Sequence, residues 1–409
     1  MTATRLILIN ALIRIASATS GQLFAFLVAD RIGSRGGVGA LVVGLLSVSF
    51  YVTEMVGAPV AGRLADSRGQ LRVLRWGPVF GVAAVLTGTV AALAGLPVRA
   101  LLAVLVAARL SEGASAALAV PTTLALLARL THGHASRRLR IMGLFEATSL
   151  AGLILGYLIG GVGWDALGGW AFLLLPAVYG AAWTLAHEDV PPERPAPTVA
   201  VQAWQTVREL ARTAGTRSFV VAWLAVNAVV GVWVQQAPYL LKLPARSTSQ
   251  SLVGGHSGRE IGVIFAVWGI TFLVGIALWS TFAPRAPRRR TLAIALLGML
   301  MVVGSLALVN HGTSHAMLAV TVLGVLVESG FTPAAFAHMA DLTDTRGSSR
   351  GMTMGVYSLL LGAGQLAGAG LGAPLAARWQ MDGVLACTAV LALISLAGVA
   401  RMRVPSKHQ

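Results

Sequence analysis

The chain has 409 residues, of which 56% are hydrophobic and only 11% charged, whereas soluble domains carry roughly a quarter charged residues. So few charges cannot cover a water-facing surface, which excludes a soluble enzyme and points to a lipid bilayer as the main partner. The formal charge of +16 at pH 7 would suit a nucleic-acid binder, but the cations are spread through short segments between apolar runs, so no nucleic-acid partner is expected.

One crossing of a bilayer takes about 20 apolar residues, because the hydrocarbon core is ~30 Å thick and a helix rises ~1.5 Å per residue. Runs of that length predict spans near 6–29, 38–62, 73–96, 100–128, 140–162, 168–187, 217–241, 260–282, 291–310, 315–339, 352–376 and 383–401. The expected fold class is therefore all-α integral membrane, with twelve transmembrane helices in two pseudo-symmetric six-helix bundles. The ten-residue alternation of a barrel strand is not found. Many of the 47 glycines fall inside the runs, where small residues let membrane helices approach closely.

Residues 5–20 could pass for a signal peptide ending at Ala16-Ser17-Ala18, but Arg14 interrupts the apolar region such a peptide needs. With the N-terminus in the cytoplasm, about 22 of the 31 Lys and Arg residues fall on the cytoplasmic side and about 7 on the other. Both termini are thus expected to be cytoplasmic, in a bacterial inner membrane, the Ala, Gly and Arg usage hinting at a GC-rich genome. The lone Cys387 excludes an internal disulfide and suggests no metal cluster. No cofactor is expected, and a proton gradient is the anticipated energy source, because no GxxxxGK[ST], HExxH or GxSxG motif occurs.

The hydrophobic pattern breaks longest at 188–216, which divides the chain into an N-terminal bundle (1–187), a cytoplasmic linker (188–216) and a C-terminal bundle (217–409). Within the linker, Trp204, Val207 and Leu210 share one helix face, as expected of a surface-lying amphipathic helix. The two bundles repeat. A shift of 212 residues brings Pro121, Met142, Gly143, Gly152, Gly156 and Gly160 onto Pro333, Met354, Gly355, Gly364, Gly368 and Gly372 without a gap. A shift of 218 pairs Gly44, Gly57 and Arg72 with Gly262, Gly275 and Arg290. Parallel repeats of this kind imply a central site between two halves that rock against each other.

After the second span stands Gly62-Arg63-Leu64-Ala65-Asp66-Ser67-Arg68-Gly69-Gln70-Leu71-Arg72. It resembles the loop signature G-x-x-x-D-x-x-G-x-x-R of the major facilitator superfamily. That resemblance implies a conformational latch of Gly62, Asp66, Arg68, Gly69 and Arg72 that stabilises the outward-facing state; a solvated turn with topogenic arginines is the plainer alternative. The corresponding segment of the second half, Pro284 to Arg290, keeps its cations but lacks the glycines and the acid.

In span 4, Arg109-Leu110-Ser111-Glu112-Gly113 resembles the R-x-x-x-G signature of proton-coupled members. Arg109 and Glu112 lie three apart and can pair on one helix face. In span 5, Gly152, Gly156, Gly160 and Gly161 match the antiporter signature G-x-x-x-G-P-x-x-G-G, with Tyr157 in place of the proline. The family precedent implies a helix seam that seals a leak during antiport, and generic GxxxG packing is the alternative. Gly169-Trp170-Ala171-Phe172 adds a weaker similarity at span 6.

Charges inside a bilayer cost several kcal/mol unless paired or hydrated, so Arg14, Glu54, Glu146, Arg109, Glu112 and Glu328 require a role. Desolvation disfavours an ionised carboxyl, which makes Glu112 and Glu328, near the middle of spans 4 and 10, the first expected proton carriers, with Arg109, Glu54 and Glu146 as further members of the coupling set. Arg14, Glu54 and Glu146 share a depth of ~12–14 Å from the cytoplasmic ends. Arg14 is expected to pair with Glu54, or else to hold an anionic group of a substrate. Asn227, Trp233, Gln235, Gln236 and Tyr357 complete the expected substrate-binding set, with bonding between neighbouring helices as the alternative. A cavity with few polar anchors suits a small amphipathic or lipophilic solute.

These features lead to a monomeric secondary transporter that exports amphipathic small molecules in exchange for protons, resembling the twelve-span drug:proton antiporters. Lipid transport, proton-coupled or facilitative nutrient import, and a non-transporting membrane sensor are the alternatives.

Overall fold

A computed structural model of the chain describes residues 2–131, 135–187, 214–244, 249–282, 287–312, 316–344 and 350–402. The expected amphipathic stretch of the linker lies outside the described residues, as do 284–286 in the degenerate second-half loop. All regular structure among the described residues is helical. The first half comprises α1 (Ala3–Ile32), α2 (Val38–Arg68), α3 (Gln70–Leu93), α4 (Val98–Leu130), α5 (Ala135–Leu167) and α6 (Leu175–Leu185). The second comprises α7 (Ala214–Lys242), α8 (Gly258–Phe282), α9 (Arg288–Asn310), α10 (Met317–Glu328), α11 (Phe331–Asp344) and α12 (Arg350–Ala400).

Among the described residues, ten segments are long and apolar enough to cross a membrane. Two of them, Arg140–Leu185 and Leu359–Ala400, run to 46 and 42 residues, about twice what one crossing needs. The chain doubles back in both. Gly168, at φ 55°, turns α5 into a 3-10 stretch, Gly168–Leu174, that leads into α6. In α12 the reversal occurs at Gln380, whose φ of 53° breaks the helix, and Gly383 then abuts the Leu375 carbonyl. Span 10 is divided into α10 and α11 at Ser329-Gly330. Pro333 follows, and a proline has no N–H to return to the carbonyl four residues earlier.

The outer surface carries large apolar side chains, with Val56 67% exposed, Trp170 58% and Ile270 56%. In water this would be a sticky belt; in hydrocarbon it is the ordinary lipid face. The interior is held by close backbone approach. A Cβ added at Gly156 would lie 2.6 Å from the Ala18 Cβ and 2.7 Å from the Ile15 oxygen, so only glycine lets α5 run against α1. Gly364, Gly368 and Gly372 do the same for α12 against α7, at Asn227, Ala228 and Val232. The strips that repeat at a 212-residue shift thus perform the same packing in both halves.

Within the first half α1 packs on α5 and α6, α3 on α4 and α6, and α2 on α4. Within the second, α7 packs along α12, and α9 against α10 and α12. The halves meet along α5 with α8, α2 with α12, and α1 with α7. These contacts crowd toward the end of the bundle that holds the C-terminus of α1. There Gly37 meets the Ala377 carbonyl, Gly44 meets Ala373, and Gly161 meets the Gly258 carbonyl. Tyr157 stacks on Phe265 with ring centroids 4.3 Å apart and donates to the Val234 carbonyl at 2.5 Å, while Gln236 of α7 donates to the Ala40 carbonyl at 3.0 Å. This far end is closed.

Candidate functional site

Most of the intramembrane charges gather in the first half, where α1, α2, α4, α5 and α6 converge. Arg109 and Glu112 of α4 are 3% and 1% exposed and form an ion pair, as their spacing predicts. Two serines of α1 complete the carboxylate's shell: Ser17 donates to Glu112 at 2.9 Å and Ser20 at 2.5 Å, both to Oε1, while Oε2 receives Arg109. The guanidinium lies over the Phe50 ring at 4.6 Å and the Phe24 ring at 5.7 Å, and Nε donates to the Leu46 carbonyl at 3.4 Å. Gly113 makes this fit possible, because a Cβ there would strike the Phe50 carbonyl of α2. A buried ion pair with its remaining lone pairs satisfied is the arrangement in which mutual attraction offsets desolvation. Glu112 is therefore a saturated carboxylate.

Beside this pair lies a small recess of about 10 Å³, roughly the room one water molecule needs, lined by Arg14, Ser17, Glu112, Ser115, Val120 and Tyr179 among others. Three of its polar atoms, Arg14 Nε, Ser115 Oγ and Tyr179 Oη, are buried and have no hydrogen-bond partner. Each such orphan costs roughly 1–3 kcal/mol. The expected Arg14–Glu54 pair does not form: no ion pair joins Arg14 to a described residue. Glu54 on α2 and Glu146 on α5 both feel its charge at longer range.

Glu328 ends α10 and is 9% exposed, beside Trp268. Under the 212-residue shift it falls opposite Ala116, one helical turn beyond Glu112, so the two carboxyls are not equivalent positions. Asn227 bonds to the Trp223 carbonyl at 2.8 Å and Trp233 to Thr388 at 2.8 Å, both inside the second half. Gln235 sits against Gly21 of α1, and Gln236 bridges to α2. Tyr357 lies in α12 and Asp66 in α2, but their side chains are outside the described residues. The latch glycine Gly69 has φ 93° and caps α2 through its N–H to the Ala65 carbonyl, while Arg68 and Arg72 are exposed. Of the four seam glycines, Gly152, Gly156 and Gly160 face α1 and Gly161 faces α8.

Sequence reasoning missed Ser17, Ser20, Ser115 and Tyr179. A signal existed for the α1 pair, since Arg14, Ser17 and Ser20 recur every three residues and so share a face. It also missed a second charged cluster at the closed end. Asp165 of α5 accepts from the backbone N–H groups of Gly258 at 2.8 Å and Arg259 at 2.7 Å, in the first turn of α8, and lies 3.7 Å from Lys242 of α7. Ser257 and Glu260 form a capping box at the same terminus, with reciprocal bonds of 2.8 and 3.1 Å.

A family model described as Major Facilitator Superfamily matches residues 7–252 and again 248–409. Among solved structures, the chain is similar to a D-xylose-proton symporter, with a TM-score of 0.71 at 16% identity over 96% of both chains. It is also similar to a mutant of the nucleoside transporter NupG, with a TM-score of 0.70 at 11% identity over 98% of this chain and 99% of that one. No curated protein matches it.

Proposed function

The chain belongs to the Major Facilitator Superfamily, a family of transporters rather than enzymes, and on that footing we propose that it is a proton-coupled secondary transporter moving small amphipathic solutes by alternating access. The observation that supports the proposal is the Arg109–Glu112 pair buried at intramembrane depth with Arg14 beside it, held between closely packed helices of one bundle. The recess sets Ile13, Ala116 and Val120 beside Arg14, Ser17, Glu112, Ser115 and Tyr179, a mixed lining that supports an amphipathic solute. Proton coupling is supported by carboxyls kept at intramembrane depth, and one structural neighbour is named a proton symporter.

Export in exchange for protons is what the α5 glycine strip implies by resemblance. Uptake together with protons is supported by a separate observation, the likeness in fold to a protein named a D-xylose-proton symporter. The two differ in the sign of the linkage between solute and proton. Purified protein in liposomes, loaded with ethidium or with 2-naphthoate as cationic and anionic amphipathic probes, is the test. Flux that changes with an imposed pH gradient, and loses that dependence in Glu54→Gln or Glu146→Gln, is the expected result. Absence of gradient-dependent flux for both probes would refute the proposal, and intact coupling in Glu112→Gln together with Glu328→Gln would remove those two as proton carriers.

A further inference from the structure

At the closed far end, a cation of one half sits in a socket built entirely by the other. Lys242, the last residue of α7, reaches across to the first half, where its side chain is only 16% exposed. The ammonium lies 5.6 Å from the centre of the Phe26 ring of α1 and 3.7 Å from the Asp165 carboxylate of α5. Phe26 in turn meets Trp164 edge-on, with ring centroids 5.9 Å apart, and both aromatics are buried. An aromatic face beside a carboxylate attracts a cation through the ring quadrupole and the charge together. Asp30, four residues after Phe26 and so on the same side of α1, adds a second acid, while its neighbour Arg31 donates to the Ala92 carbonyl of α3 at 2.9 Å.

The walls of the socket stay together when the halves part. Gly152, Gly156 and Gly160 hold α5 directly against α1, which fixes Phe26, Trp164 and Asp165 to one body. Separation at the far end removes Lys242 and, with it, the two α8 N–H groups on Asp165. A carboxylate stripped of its partners is left beside an uncovered ring. The hold on Lys242 is also weak, since 3.7 Å is beyond hydrogen-bond distance and the Asp165 side chain is 31% exposed, so that solvent screens the pair. A cation from solution can therefore compete for the same place.

We propose that Phe26, Trp164 and Asp165 form a binding site for a small organic ammonium, that Lys242 occupies it while the far end is closed, and that a free ammonium in the site holds the far end open. The inference goes beyond the transporter reading and shares with it only the parting of the halves. A group on a short tether competes at an effective concentration on the order of millimolar, so the free cation acts on the wild-type chain only near that range.

The test uses the full chain in lipid nanodiscs, with choline as the probe and 3,3-dimethyl-1-butanol as its uncharged counterpart of the same shape. At constant ionic strength, radiolabelled choline should bind about tenfold or more tightly in Lys242→Ala than in wild type, because the tethered competitor is gone. Lys242→Met keeps the stem and removes the charge; it should shift binding the same way and serves if the alanine variant does not fold. Added to Lys242→Ala, either Phe26→Leu or Asp165→Asn should weaken choline binding, and excess alcohol should not displace it. Ala40, 1% exposed where Gln236 of α7 donates to its carbonyl, reports opening: Ala40→Cys in a Cys387→Ala background should react faster with a maleimide when choline is present. The proposal is overturned if the alcohol competes as well as unlabelled choline, if neither Lys242 variant binds more tightly than wild type, if Phe26→Leu and Asp165→Asn leave binding unchanged, or if choline does not speed the reaction at position 40. Choline binding in this pattern with no flux of either probe in liposomes would leave the socket standing and remove the transporter reading. Gradient-dependent flux without choline binding would do the reverse.

Discussion

Replacing Asp165 with alanine should loosen the closed far end and shift the protein toward the state open at that end. The carboxylate joins the two halves through bonds of 2.8 and 2.7 Å to the first N–H groups of α8, with Lys242 at 3.7 Å. These bonds exist only while α5 and α8 touch, so their loss penalises one conformation and not the other. Removing a capping acceptor costs about 0.5–2 kcal/mol. The Lys242 contact adds little, because the Asp165 side chain is 31% exposed and such pairs are worth at most about 1 kcal/mol. Ser257 and Glu260 still cap α8 in the variant, which keeps the helix intact. A net 1–2 kcal/mol corresponds to a roughly 5–30-fold change in the conformational equilibrium. Spin labels at Ala94 and Ala316, introduced as cysteines in a Cys387→Ala background, report the far-end separation in lipid. A larger population of the long distance is expected in Asp165→Ala. An unchanged distance distribution would show that the α5–α8 closure does not depend on this carboxylate.

Other substitutions probe the packing and the charge cluster. Gly368→Val and Gly156→Val should each fail to give a stable protein, judged by thermal unfolding, whereas Gly143→Ala and Gly180→Ala, where an added Cβ meets nothing within 4 Å, should unfold like wild type. Glu112→Gln leaves Arg109 buried without its counter-charge and should cost on the order of 3–5 kcal/mol, read as a lowered thermal midpoint; the double change Arg109→Met with Glu112→Leu should recover much of it, and no recovery would mean the pair does more than neutralise itself. Tyr157→Phe keeps the stack on Phe265 but removes the bond to the Val234 carbonyl, so the labelled far end should open slightly, less than in Asp165→Ala.

What the sequence determined by itself is local and periodic. The length of each apolar run dictates a helix that crosses hydrocarbon, since no other backbone arrangement within the run satisfies its own hydrogen bonds there. The 212-residue repeat already located both glycine strips, and the three-residue spacing of Arg109 and Glu112 already implied their pairing. The crossings at 140–185 and 359–400 were separable in sequence by Gly168-Gly169 and by the polar turn around Gln380, although the helix there is nearly continuous.

Only the tertiary structure decided which charges meet. Glu112 finds two serines of α1 and becomes saturated, Arg14 misses Glu54 and stays without a bonded partner, and Glu328 lies a turn away from the place where symmetry would put it. Asp165 reaches backbone groups 93 and 94 residues away, which no spacing rule can find. In water, the apolar stripe of a helix declares which face turns inward. In lipid both the packed and the exposed faces are apolar, so rotation and tilt are left to the fit of neighbouring helices, and with them the partners of every buried charge.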